Sequence, residues 1–233
     1  MTVTQASLPR TTAPRCARSS GRTAAQVAMV GVVVYVLVDI VLQFLPPHYS
    51  AISEAESNLA VGPFGWIMNL NFVGRMITCI AAVVALSTLG SAGVLQRIGL
   101  WLFFIGGLSS GVLAFFPTDI LVAGERGLTA ESVAGTIHLT VATIGFLAAL
   151  AGICVLTAWL SRSRVLPRSR AVASVFSVLG VAGILFLGLS STVFPGLLGL
   201  AERVCLLGIL GWVFGVCRTV AGLVDDRDVG KTS

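Results

Sequence analysis

The sequence predicts an all-α fold, an integral membrane bundle of six transmembrane helices. Three observations carry that prediction. Six long apolar stretches, separated by short polar connectors, fill almost the whole chain. Charged residues make up 11% of the composition, too few to coat a soluble globule, and the mean hydropathy is +0.96. A helix crosses the hydrocarbon core in about 20 residues, so six crossings consume most of the 233 residues and leave no large soluble domain.

Residues 1–23 are rich in Ser, Thr, Pro and Arg without hydrophobic periodicity, and read as a disordered basic tail. Span 1 covers about residues 24–45 and stops at Pro46-Pro47. It is longer than a cleavable signal core, carries Asp39 and lacks a clear small-x-small site, so it reads as a retained anchor. Span 2 covers about 66–89, followed by a glycine-bounded turn, Gly90 to Gly93. Span 3 covers about 98–116 and ends at Pro117. Span 4 covers about 133–160, with Thr129 as an N-cap and Glu131 in the approach. Span 5 covers about 171–193 and ends near Pro195. Span 6 covers about 204–223, opened by Glu202-Arg203, and residues 224–233 form a polar tail.

Arginines orient the bundle. Arg10, Arg15, Arg18, Arg22, Arg97, Arg162, Arg164, Arg168, Arg170, Arg218, Arg227 and Lys231 all fall on one side of six spans. The other side has only Arg126 and, at a span edge, Arg203. This asymmetry predicts a multi-pass plasma or inner membrane protein with both termini cytoplasmic. The formal charge of +5 is therefore span-flanking arginine, and no nucleic-acid partner is expected. Cys16 lies in the tail, while Cys79, Cys154, Cys205 and Cys217 lie in spans and read as small packing residues.

Span 3 contains GLSSGVLAFFP (Gly107 to Pro117) and span 5 contains GLSSTVFP (Gly188 to Pro195). These fit three repeated helical hairpins, or simply the common use of Ser, Gly and Phe-Pro at span ends. Gly107-x-x-x-Gly111 and Gly211-x-x-x-Gly215 permit close helix contact, expected as packing within the bundle.

Polar residues inside spans need a reason. Tyr35, Asp39 and Gln43 form a stripe on span 1, and Asn71, Arg75 and Thr78 a second on span 2. Matching depth suggests an Asp39–Arg75 pair, either a buried staple or the wall of an outward-facing pocket. In the span 1–2 loop, Ser53-x-x-Glu56 fits a capping box. Glu54 and Ser57 are free of that role and suit a site. Trp66 fits an interfacial anchor. Asp119 caps the loop after span 3 or faces the pocket. His138, one turn into span 4, is a packing residue or a ligand. Glu202 suits a helix N-terminus, and Arg203 requires a partner such as Glu54, Asp119 or a lipid phosphate. No phosphate loop, G-x-S-x-G elbow or H-E-x-x-H occurs. No metal site or cofactor is expected from the two histidines, His48 and His138.

The combination of YSAISEAESNLAVGPFGWIMNLNFV after span 1, FPTD after span 3, a His early in span 4 and GLAERV leading into span 6 resembles a bacterial multispan family, domain of unknown function 998. The resemblance covers about residues 24–223. It implies six membrane helices with polar motifs gathered on the outer face, and no established activity.

The candidate ligand-binding set is Asp39, Ser53, Glu54, Arg75, Asp119, His138, Glu202 and Arg203. The first expectation is an outward-facing pocket for a lipid head group or small polar solute, in transport or envelope lipid handling, with membrane lipids as partners. A metal-dependent membrane-embedded hydrolase using His138 and carboxylates, and a non-catalytic scaffold or accessory subunit, are the alternatives.

Overall fold

The computed structural model describes residues 15–90, 93–120, 129–163 and 165–229, with side chains for those between 19 and 223. Six α-helices run in order: α1 (Arg15–Leu42), α2 (Gly65–Ser87), α3 (Val94–Leu113), α4 (Val133–Arg162), α5 (Arg170–Ser190) and α6 (Leu198–Val229). Short 3₁₀ turns at Glu56–Ala60, Pro167–Ser169 and Pro195–Leu197 lead into α2, α5 and α6. No strand occurs among the described residues. All six helices are long and apolar enough to cross a membrane.

Successive helices are antiparallel, and each packs most extensively against its hairpin partner: α1 with α2, α3 with α4, α5 with α6. α6 also closes onto α1 and touches α2 and α4. It is the central post, with 56% of its most apolar stretch buried against 22–44% in the other five. Large apolar side chains elsewhere point outward, as Val30, Leu70, Trp101, Val178 and Leu185 do. Outward apolar faces are what a lipid solvent requires.

Glycines set the close approaches. Gly107 and Gly111 lie against Cys79 and Met76 of α2, and Gly211 and Gly215 against Phe176 and Val172 of α5. Both small-residue pairs thus serve packing inside the bundle. A buried hydrogen-bonded chain ties three helices: Trp212 Nε1 donates to Thr157 Oγ1 at 2.8 Å, and Thr157 meets Ser177 at 2.9 Å.

Several boundaries differ from the sequence reading. α1 starts at Arg15, inside the segment expected to be a disordered tail. Residues 1–14 lie outside the described residues, as do Glu125, Arg126, Arg164 and Lys231. α6 continues to Val229, through most of the expected polar tail. Its start is at Leu198, so Glu202 and Arg203 sit inside the helix rather than at its opening. The Pro195–Leu197 turn supplies the nucleus that lets α6 begin early. The N-cap of α4 is Ser132, whose hydroxyl accepts from Gly135 N at 2.9 Å, in place of Thr129.

Candidate functional site

The polar stripes meet at the distal end of the bundle, opposite the end where α1 begins and α6 finishes. The 51–60 segment folds inward there. Gly199 makes this possible, because a side chain at 199 would collide with the carbonyl oxygens of Ala51 and Glu54. Leu200 N then donates to Ile52 O at 3.0 Å, and Tyr49 Oη donates to Glu54 O at 2.9 Å. The effect is to drive Glu56 into the protein, where it is 2% exposed.

Two ion-pair stations result. At the first, Arg203 of α6 reaches Asp39 of α1, Nη2 to Oδ1 at 3.1 Å. The same nitrogen donates to Tyr49 Oη at 3.0 Å, and Nη1 donates to Ala51 O at 3.1 Å. Gln43 Nε2 donates to the other Asp39 oxygen at 2.6 Å. At the second station, Arg75 of α2 donates through Nε to Ser110 Oγ at 2.7 Å and through Nη1 to Tyr35 Oη at 2.9 Å. The Tyr35 hydroxyl in turn donates to Glu56 Oε2 at 2.8 Å, and Arg75 Nη1 lies 3.9 Å from that oxygen. The guanidinium also stacks near the Tyr35 and Phe72 rings, 5.1 and 5.3 Å from their centroids. Glu202 of α6 joins the stations by accepting the Glu56 backbone amide at 2.7 Å.

The expected Asp39–Arg75 pair is therefore replaced. Arg75 is taken up by Tyr35, Ser110 and Glu56, and Asp39 is matched by Arg203. That also supplies Arg203 with a partner other than Glu54, Asp119 or a lipid phosphate. The Ser53–Glu56 capping box does not form. The 3₁₀ turn is preceded by Ala55 with no side-chain cap, since Tyr35 offers the Glu56 carboxyl a buried donor that a local cap cannot match.

The remaining candidates divide. Ser53 is a turn residue whose amide donates to Ser50 Oγ at 3.4 Å. Glu54 lines a separate pocket of about 360 Å³ with His48, Tyr49 and Pro47. Asp119 is spent on the start of α4, where its carboxylate accepts the amides of Glu131 and Ser132 at 2.7 and 2.9 Å. It also takes the Ser132 hydroxyl at 2.7 Å. Those bonds, the Ser132 amide foremost, hold the Asp119 carboxyl below its usual range. His138 is buried, its Nδ1 2.7 Å from Phe116 O.

Two cavities border the cluster. One, about 270 Å³, is lined by Glu56, Ser57, Arg75, His138 and Glu202 together with apolar groups such as Phe72, Leu139 and Phe146. The other is a long groove of about 1220 Å³ between α1, α5 and α6, running from Asp39, Glu56 and Arg203 to Arg168 and Arg218 near the opposite end. Glu56 faces both. Burial pushes its carboxyl up to about 8, and neighbouring Glu202 and Asp39 push the same way against Arg75 and Tyr35. Tyr49 in the same loop is raised, chiefly by burial, with Arg203 pulling it down.

Sequence reading missed Glu56, Tyr49 and Ser110 as members of the cluster. The available signals were the loop motif itself and the GLSS run of span 3. Among the described residues no group of three His, Cys, Asp or Glu side chains is placed to hold a metal ion.

No curated protein and no solved structure matches the chain. The loop after α1, the Phe116 to Asp119 segment, His138 and the Gly199 to Arg203 stretch, whose sequences carried the resemblance, all lie at the distal end. The family model described as Protein of unknown function (DUF998) matches residues 29–219, and the chain belongs to that family.

Proposed function

We propose that this multispan membrane protein binds a small polar solute or the head group of a membrane lipid in the cavity of about 270 Å³ at its distal end. The observation that carries the reading is the convergence of Glu56, Arg75, Glu202 and His138 on one largely apolar cavity. Small-molecule sites have this make-up: apolar walls and a few polar groups that fix orientation. Charged groups at membrane depth are costly, and a pair that served only as a staple would not need to border an open volume. The arginine asymmetry supports cytoplasmic termini and hence a distal end that faces outward. Transport or envelope lipid handling is the role that such a site would serve.

Filling the cavity tests the reading without touching a charge. Ala142 lines the cavity, and Ala142→Phe should remove any small molecule or lipid that the wild-type protein retains in native mass spectrometry. The reading fails if the wild type carries no specific adduct, or if the adduct survives in a folded Ala142→Phe protein.

A further inference from the structure

The cluster holds three carboxylates, Asp39, Glu56 and Glu202, against two guanidiniums, Arg75 and Arg203. Asp39 is matched by Arg203 at 3.1 Å, and Arg75 lies 3.9 Å from Glu56. Among the described residues no cation lies within ion-pair distance of Glu202, and its hydrogen bond is to the Glu56 amide. An unmatched carboxylate in a poorly solvated site calls for a proton or a cation.

The hydrogen-bonding inventory of the cavity points the same way. Phe116 O can only accept, so His138 Nδ1 must carry the hydrogen of their 2.7 Å contact. The neutral ring then offers Nε2 as an acceptor. Glu202 has an oxygen beyond the one that takes the Glu56 amide. Arg75 commits Nε to Ser110 and one Nη1 hydrogen to Tyr35, and its charge is shared with Glu56 at 3.9 Å. His138 Nε2 and the second Glu202 oxygen thus present two acceptors to the cavity, and the ring of Phe146 in its wall offers a face suited to a cation.

Resting on the cavity reading above, we infer that the ligand is a protonated amine, either a small organic ammonium or the ammonium of an aminolipid head group, and that its arrival displaces one proton from Glu56. The balance closes. Glu56–COOH and R–NH₃⁺ give Glu56–COO⁻, bound R–NH₃⁺ and one H⁺ released to solvent. Three ion pairs then exist, Asp39–Arg203, Glu56–Arg75 and Glu202–ammonium. Without the amine, the proton on Glu56 leaves two anions facing two cations. Glu56 is placed for this exchange because it borders both the cavity and the long groove. The ionisable groups around it are Tyr35 and Asp39 on α1, Arg75 on α2, His138 on α4, Glu202 and Arg203 on α6, and Tyr49 and Glu54 in its own loop. Glu56 is raised by its burial, which keeps the proton available near neutrality.

The test is calorimetric titration of the detergent-purified full chain at pH 7 with butylammonium, repeated in buffers of different protonation enthalpy. Saturable binding with about one proton released per amine is expected. Glu202→Gln should weaken binding tenfold or more, and Glu56→Gln should weaken it and abolish proton release. Nanodiscs containing phosphatidylethanolamine form the second arm. Retention of that lipid, displaced by butylammonium, assigns the amine to a head group, and binding of butylammonium alone assigns it to a free solute. Amine binding without proton release in the wild type overturns the inference, whatever the variants do. Arg75-dependent binding of inorganic phosphate instead of the amine overturns it while leaving the cavity reading intact. If neither probe binds and Ala142→Phe changes nothing, both fall.

Discussion

A double-mutant cycle on Asp39 and Arg203 tests the arrangement of charges at its decisive point. At 3.1 Å and an effective dielectric constant of about 20, the gross Coulomb attraction is about 5 kcal/mol. Both side chains have lost most of their water, being 12% exposed at Asp39 and 19% at Arg203, and that desolvation offsets about half of the gain. A coupling energy of about 2–3 kcal/mol is therefore expected between Asp39→Asn and Arg203→Met. Arg203→Met alone should be the more damaging single change. It strands Asp39 and also releases the Tyr49 hydroxyl and the Ala51 carbonyl. The parallel cycle of Asp39→Asn with Arg75→Met should give a coupling of at most about 1 kcal/mol, because no direct bond joins the two. Equilibrium unfolding of the six proteins in mixed micelles measures both cycles. A coupling of Asp39 with Arg75 that equals or exceeds its coupling with Arg203 would refute the pairing described here.

Gly199→Ala should cost about 2 kcal/mol, because the new methyl would lie 2.7 Å from Ala51 O and closer still to Glu54 O. Faster hydrogen exchange of the 51–58 amides would confirm that the loop has been lifted, and unchanged exchange would sink the idea. Glu56 has a folded pKa raised from 4.5 to about 8, so its folded form holds the proton more tightly than the unfolded chain. Stability should be greatest below about pH 4.5 and decline as pH rises through 8, and thermal melts of Glu56→Gln should lose that decline. Asp119 is shifted the other way. Its clamp on α4 should hold above the ordinary aspartate range of about 4 and weaken as pH falls below it. Exchange of the Glu131 and Ser132 amides reports this, and Asp119→Asn should show the weakened state at neutral pH.

The six helices were legible because hydropathy over about 20 residues is a local, additive signal. The glycine pairs were legible for a related reason, since small residues at four-residue spacing have one geometric use on a helix. Ion-pair partners were not. Depth matching admitted Arg75 as a partner for Asp39, and placing the start of span 6 at residue 204 left Arg203 outside the comparison. What decided the matter was the packing of α6 against α1, which no local pattern encodes. Glu56 fell to a similar ambiguity. Ser53-x-x-Glu56 satisfies a local capping signature, yet the carboxyl binds Tyr35, 21 positions earlier on a different helix. Asp119 was ambiguous for the opposite reason, as both readings were open and the amides of Glu131 and Ser132 lie across a loop whose path sequence does not give.

The link between Asp39 and Arg203 spans 164 positions and joins the first membrane helix to the last. Insertion proceeds from the N-terminus, so Asp39 enters the bilayer long before its cation has been synthesised. Glu56 differs, because Tyr35 and Arg75, its carboxyl's partners, arrive with the first two helices. Until α6 arrives, the nascent bundle displays the uncompensated Asp39 carboxylate to lipid, a signature that membrane surveillance proteases and chaperones can recognise. The final helix is thus the keystone of biogenesis, and a chain truncated before Leu198 should be degraded rather than accumulate as a four- or five-helix intermediate.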